Sequence, residues 1–377
     1  LKYKRDLPPA AGLVIIQNPM SKTMEADLKN AFELTHAVAA DLQESAKQQA
    51  AFFTTVTRMD GAFGFGGEPV ANPVQGALAG LAKTAAVEWP EVTCHAVDLS
   101  PKWNDLRDVA RALIREVTNR GPVEIGLTEA SRSTTVLVPQ DYPDGDLNLA
   151  PGDPVVISGG ARGITAVCAL ELARRARPAL ILLGRSPEPT PEPEWMRGLE
   201  SDADIKKTLL QTEFDASATK PAEVERRLKQ LLASREGART LAAISLAGAP
   251  VAYYAVDVRD PDQVQTALAD ARSRFGPIRG LIHGAGVLED RLIAAKSTAQ
   301  FERVFDTKLK GFQALVEATA ADELKTIAIF SSVTARIGNR GQADYAMANE
   351  ALNKLAWAES RRRPGCRVVA INWGPWE

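Results

Sequence analysis

VVISGGARGITAVCALELA, residues 155–173, holds the junction that decides the fold. Its opening, Val155 to Ser158, is rich in β-branched residues and reads as a buried strand. Gly159, Gly160, Ala161, Arg162 and Gly163 follow, and an amphipathic pattern then predicts a helix from Gly163 to Ala176. Glycines permit a tight turn between strand and helix and let backbone N–H groups approach an anion at the positive helix end. The order strand, glycine turn, helix predicts a dinucleotide pyrophosphate site built from Gly159, Gly160, Arg162, Gly163 and Ile164.

The next apolar run, ALILLG at 179–184, ends in Arg185 and Ser186, where an NAD site would place an acidic residue against the ribose 2′-OH. A guanidinium suits a 2′-phosphate instead, through charge-assisted hydrogen bonds. The inferred cofactor is therefore NADPH. Two further strand ends fit the same ligand. Asp257 and Val258 follow AYYAV, where a carboxylate can meet the adenine amino group, and Gly284, Ala285 and Gly286 follow RGLIH, where small residues let a flat ring lie on the backbone. His283 reads as packed or hydrogen-bonded structure rather than a base.

Outward from this stretch, strand and helix patterns alternate through 151–377, so the fold class is α/β with a doubly wound parallel sheet. A long insertion, about 187–250, opens with proline-rich PEPTPEPEW and continues in charged helical patterns such as EVERRLKQLLAS. Residues 1–150 repeat the alternation, from GLVIIQ at 12–17 to STTVLVP at 133–139, and predict a second sheet of the same kind. PQDYPDGDLNLAPGDP at 139–154 is dense in Pro, Asp and Gly and reads as the connection between them. GAFGFGG at 61–67 has no clean strand-to-helix junction and reads as a loop.

Composition narrows the function. Hydrophobic residues make up 45% and charged residues 24%, the profile of a globular protein. A formal net charge of -2 gives no field to draw nucleic acid or an anionic membrane. No apolar run approaches the roughly 20 residues of a membrane span, and LKYKR leads into DLPPA rather than a signal core, so the expected location is cytoplasmic. The three cysteines and three histidines show no metal-ligand spacing, and no metal is expected.

The candidate catalytic residues are Lys308, Ser332, Tyr345 and Asn349. Tyr345 and Asn349 stand four apart in ADYAMANEALNKLA and share one helix face. Ser332 closes the strand TIAIFSS, and Lys308 lies on the preceding helix. Carbonyl reduction needs a hydride and a proton. A tyrosine has a pKa near about 10, and a nearby ammonium is expected to favour its phenolate and ease proton donation. Ser332 is placed to hydrogen-bond the oxygen where alkoxide charge develops.

At these residues the sequence resembles the short-chain dehydrogenase/reductase superfamily, and within it the ketoreductase domains of type I polyketide synthases. SGGARGIT is similar to that family's TGGxxGxG turn and LLGRS to its NADPH signature. KLKG at 308–311, FSS at 330–332, GQADYAMAN at 341–349 and NWGPW at 372–376 fall in the family's order and spacing. Ordinary members carry YxxxK, whereas Asn349 after Tyr345 with Lys308 upstream matches the swapped form of the synthase domains. The GGARGIT wording, the insertion and DYAMANE resemble most the polyunsaturated-fatty-acid and enediyne synthase branch.

The resemblance implies two Rossmann-like subdomains, structural at 1–150 without a cofactor site and catalytic at 151–377. It implies a β-ketoacyl chain on the phosphopantetheine of an acyl carrier protein as substrate, and neighbouring synthase domains as partners. Leu288 and Asp290 resemble the LxD motif of B-type ketoreductases, and Ile337 stands where A-type domains carry tryptophan, so the implied product is the (3R) hydroxyacyl thioester. Thr165 in place of the last turn glycine, and Arg340 where B-type domains often carry proline, depart from the pattern. A start at Leu1 without methionine and a stop at WGPWE give the expectation of a piece of a longer chain. Two alternatives stand beside this reading: a structural ketoreductase-like domain without activity, and a free-standing NADP-dependent alcohol dehydrogenase.

Overall fold

Apolar runs separated by amphipathic helices become two mainly parallel sheets in the computed structural model, which describes residues 8–141, 148–214 and 220–375. In the first, β1 (Gly12–Ile16), β2 (Phe52–Thr57), β3 (Thr93–Leu99) and β4 (Glu124–Leu127) pair parallel in chain order. Helices α1 (Met24–Gln48), α2 (Ala77–Glu88) and α3 (Leu106–Thr118) connect them. Nearly every residue of β2, β3 and β4 is buried, as parallel strands covered on both faces require.

The strand expected at 133–139 shortens to β5 (Arg132–Ser133), antiparallel to β4. The Thr134 hydroxyl donates to the Glu124 carbonyl at 2.7 Å and the Thr135 hydroxyl to the Glu124 carboxylate. Val136, Leu137 and Val138 all stay exposed, so the run has no buried face to hold it in a sheet.

The second sheet contains β6 (Pro154–Ser158), β7 (Ala179–Gly184), β8 (Val251–Ala255), β9 (Gly280–His283), β10 (Thr326–Ser332) and β11 (Arg367–Trp373). Its order is β8-β7-β6-β9-β10-β11, the order 3-2-1-4-5-6 of the dinucleotide-binding doubly wound fold. The intervening helices are α4 (Gly163–Ala176), α5 (Asp202–Thr212) and α6 (Pro221–Leu246) of the insertion, α7 (Pro261–Phe275), α8 (Thr298–Ala318), the one-turn α9 (Thr334–Ile337) and α10 (Ala343–Arg362). Among the described residues no helix is long and apolar enough to cross a membrane.

By contacts the chain divides into two units, one of residues 1–144, 286–312 and 328–377, the other of 145–285 and 313–327. The chain passes from one to the other within α8 and within β10. In the first unit, Leu28 and Phe32 of α1, Phe53 of β2 and Leu78 and Leu81 of α2 share one core with Phe301, Phe305 and Leu309 of α8 and Met347 of α10. In the second, Val155, Ile157, Leu180 and Leu182 pack on Ala169 and Ala173 of α4 and Ile244 of α6. The insertion has a small core of its own around Met196, Ile205, Leu209 and Leu228, closed by buried Arg235, which pairs with Glu192 at 2.6 Å. Residues 142–147 of the expected connection, and Trp376 of NWGPW, lie outside the described residues.

Candidate active site

The nucleotide residues lie in the second unit, at the carboxyl ends of β6, β7, β8 and β9, apart from Gly286, which opens the 286–312 segment of the first. Gly159 leaves β6 with φ +74°, and a Cβ there would lie 3.1 Å from the Ala285 backbone. The turn after β6 therefore lies against the Gly284-Ala285 segment. The Ser158 hydroxyl bonds His283 Nδ1 at 2.8 Å and accepts the Ala285 N–H at 3.3 Å, and His283 is fully buried. Thr165, which departs from the glycine pattern, turns its side chain toward Gly284: a Cβ at Gly284 would lie 2.5 Å from Thr165 Oγ1.

Gly163, the first residue of α4, donates its N–H to Glu236 Oε1 of α6 at 2.7 Å. A carboxylate there meets the positive end of the helix, and a pyrophosphate arriving at this N–H would have to displace it. The feature of this turn that suits a pyrophosphate is Gly159, whose positive φ and missing side chain let the backbone pack closely. Arg185 is exposed at the end of β7, and Gly184 before it packs on the Tyr253 hydroxyl, which donates to the Ser186 carbonyl at 2.7 Å. Asp257 lies two residues beyond β8, and its carboxylate is gripped by the Arg259 guanidinium at 2.6–3.1 Å. That hydrogen bonding, helped by the Arg185 charge, holds Asp257 below the usual carboxylate range.

Lys308, Ser332, Tyr345 and Asn349 all lie in the first unit. Burial of the small residues of α10 brings Tyr345 and Asn349 onto its inner face, where the Asn349 Nδ2 donates to the Tyr345 carbonyl at 2.9 Å. Among the described residues, buried Asn349 Oδ1 has no hydrogen-bond partner. Lys308 projects from α8, donates to the Phe330 carbonyl at 3.0 Å, and holds its Nζ 5.1 Å from the centre of the Tyr345 ring. Gly286 faces the same lysine: a Cβ there would lie 3.2 Å from Lys308 Cε. Ser332 ends β10 and accepts the Thr334 N–H at 3.1 Å. Asp290 accepts from Gln342 Nε2 at 3.0 and 3.2 Å, and Leu288 beside it is exposed.

Electrostatics differ from the sequence expectation at one point. Burial pushes the Lys308 ammonium down to about 8. Burial also pushes the Tyr345 hydroxyl up, against hydrogen bonding by Asn349 and Ser332, and the Asp290 charge adds to the rise. The tyrosine is thus held protonated rather than eased toward phenolate, because loss of solvent outweighs the neighbouring dipoles.

Other polar groups here have no local sequence signal. Lys296 is buried and bridges the Glu289 carbonyl and the Asp344 carboxylate at 2.6 Å each, and Asp344 in turn accepts the Tyr345 N–H at 2.9 Å. Burial, partly offset by Lys296, pushes the Asp344 carboxyl up to about 6. Behind Asn349, burial acts to raise the Glu350 carboxyl, but Lys354, Lys83 and Arg336 together hold it far below the ordinary range. The sequence shows these acidic and basic residues but not their pairing.

Residues 154–377 match the family model of the KR domain. The chain belongs to the KR domain family. Its relatives include polyunsaturated fatty acid and polyketide synthases. This KR domain is 34% identical over 342 residues to a polyunsaturated fatty acid synthase polypeptide of Thraustochytrium sp., a match covering 86% of this chain and 12% of that protein. It is 28% identical over 317 residues to a phenolphthiocerol/phthiocerol polyketide synthase polypeptide of Mycobacterium tuberculosis, covering 81% of this chain and 14% of that protein. The KR domain thus spans about an eighth of the length of these relatives. An N-terminal ketoreductase from the macrolactin assembly line has the same fold, with a TM-score of 0.70 at 22% identity over 98% of this chain and 66% of that one. Members of the KR family are ketoreductases of the nicotinamide-dependent kind.

Proposed function

We propose that this KR domain uses NADPH to reduce the β-keto group of an acyl thioester carried by the phosphopantetheine of an acyl carrier protein. The product is the β-hydroxyacyl thioester of (3R), B-type configuration. The observation that carries the reading is the placing of the Lys308 ammonium over the Tyr345 ring, in a buried cluster shared with Asn349.

When bound, the nicotinamide supplies a hydride to the β-carbon. The Tyr345 hydroxyl gives its proton to the carbonyl oxygen as the C=O double bond becomes a C–O single bond, and the Ser332 hydroxyl hydrogen-bonds the same oxygen. The burial that raises Tyr345 keeps it a proton donor at neutral pH. Lys308, on the face of the ring, stabilises the negative charge left when the proton departs and holds the nicotinamide ribose. Asn349, whose buried Oδ1 has no partner among the described residues, supports proton return to Tyr345.

For the cofactor, Gly159, Gly160, Arg162, Gly163 and Ile164 hold the pyrophosphate, and Arg185 and Ser186 the 2′-phosphate. Asp257 and Val258 stand at the adenine, and Gly284, Ala285 and Gly286 at the nicotinamide end. Leu288 and Asp290 guide the acyl chain. Residues 1–150 form the structural subdomain and 151–377 the catalytic one. In support, four amides of the GAFGFGG loop are already bound: Asp60 accepts from Ala62, Gly64 and Gly66, and Asp98 from Phe63. A phosphate would have to compete with two internal carboxylates there. Neighbouring synthase domains and a carrier protein are the partners.

The test is NADPH oxidation with a β-ketoacyl pantetheine thioester, with the product resolved by chiral chromatography. A chain that binds NADPH and leaves the thioester unchanged defeats the reading in favour of an inactive structural domain. Turnover of simple ketones in preference to thioesters favours a free-standing alcohol dehydrogenase.

A further inference from the structure

Helix α2 belongs to the first sheet and carries none of the residues assigned to the reaction. Its last residue, Glu88, is buried, and both of its carboxylate oxygens are spent on backbone amides of other segments. Oε2 accepts the Ile293 N–H at 2.9 Å, and Oε1 accepts the Gly341 N–H at 2.9 Å. Ile293 ends the loop that carries Leu288 and Asp290, and Gly341 lies in the turn that enters α10 four residues before Tyr345.

These two segments also touch directly. The Arg291 N–H donates to the Gly341 carbonyl at 2.9 Å, beside the Asp290 to Gln342 and Lys296 to Asp344 contacts. Helix α2 meets the turn and the catalytic helix along its length. A Cβ at Gly80 would come within 2.5 Å of the Ala346 carbonyl oxygen, and one at Gly338 within 2.5 Å of the Lys83 carbonyl oxygen. Burying a carboxylate is unfavourable unless hydrogen bonds replace its water. An apolar side chain would have filled the same space; a carboxylate additionally fixes the spacing of two amides.

We propose that Glu88 is a positioning residue: by binding the Ile293 and Gly341 amides it sets the spacing between the Asp290 loop and the Tyr345 helix, and with it the face of the ketone that is reduced. This rests on the proposed reductase activity.

Glu88→Gln in the full chain keeps the side-chain volume but turns an amide donor toward one of the two N–H groups. Hydrogen exchange at the Ile293 and Gly341 amides is expected to accelerate about tenfold or more. Thioester turnover is expected to fall about 10- to 100-fold in kcat, as small misplacements of reacting groups do, with KM and NADPH affinity nearly unchanged. The enantiomer ratio of the product falls with it, and Glu88→Asp, which keeps both acceptors, recovers part of each effect. Val109→Ala, in the separate core under α3, serves as a destabilised control that lowers the melting temperature and leaves kcat unchanged.

Unchanged exchange at both amides overturns the inference whether or not the chain is a reductase. So does a kcat loss no larger than that of Val109→Ala. Should Glu88→Gln fail to fold, Glu88→Asp is read in the same way. A wild-type chain without thioester reduction defeats the reductase reading instead, and the exchange measurement still decides the role of Glu88.

Discussion

Lys308 holds its Nζ 5.1 Å from the centre of the Tyr345 ring while donating a hydrogen bond to the Phe330 carbonyl. The lysine therefore meets the tyrosine across the face of its ring and acts on it through charge. Only the ammonium form can do so, and burial brings its pKa down to about 8.

The rate of thioester reduction should accordingly fall as the pH rises through about 8, and a kcat profile measures it. Lys308→Met should be slow at every pH and lack this limb. A wild-type profile level between about pH 7 and about pH 9 contradicts the assignment.

Stability carries the same titration with a defined sign. Between about 8 and 10.5 the folded chain holds Lys308 neutral while the unfolded chain keeps it protonated, so the unfolded state binds more protons. Wild type should gain stability relative to Lys308→Met as pH rises across that window, read from urea midpoints. A constant difference would place Lys308 in solvent.

Tyr345→Phe removes the proposed donor and little volume. NADPH oxidation with a β-ketoacyl thioester should drop about 100-fold or more, with cofactor binding intact in a fluorescence titration. Undiminished turnover assigns the proton to another group.

Arg185→Ala should weaken NADPH about tenfold or more and change NADH little, since a charge-assisted contact to the 2′-phosphate is lost. Equal losses for both cofactors would remove Arg185 from the site.

Glu236 offers a test from the opposite direction. Its carboxylate sits on the Gly163 N–H, where a pyrophosphate would be received. Glu236→Gln should tighten NADPH binding by about two- to fivefold, because a negative charge at the helix start no longer competes. Weaker binding would mean that the glutamate orders the turn instead.

The parts of this molecule legible in the sequence are those set by short-range rules. Helix α4 spans Gly163 to Ala176 as read from its periodicity, and the turn before it follows from its glycines, with Gly159 at φ +74° close against the Ala285 backbone. Long-range pairings were not legible. Lys296 meets Asp344 across 48 residues, and Glu88 meets Ile293 and Gly341 across 205 and 253. The direction of the Tyr345 shift was also hidden, because ADYAMAN does not say how deeply the ring is buried. STTVLVP read as a strand for a related reason: alternation predicts a face, and only the fold decides whether anything covers it.

The backbone contact between Gly80 and Ala346 has a bearing on how such domains are exchanged between synthases. A cut near residue 150 would graft α10 onto a foreign α2, and any side chain larger than hydrogen at the crossing would lift the helix that carries Tyr345. Recombination that respects this crossing keeps Ala77–Glu88 and Ala343–Arg362 from the same parent.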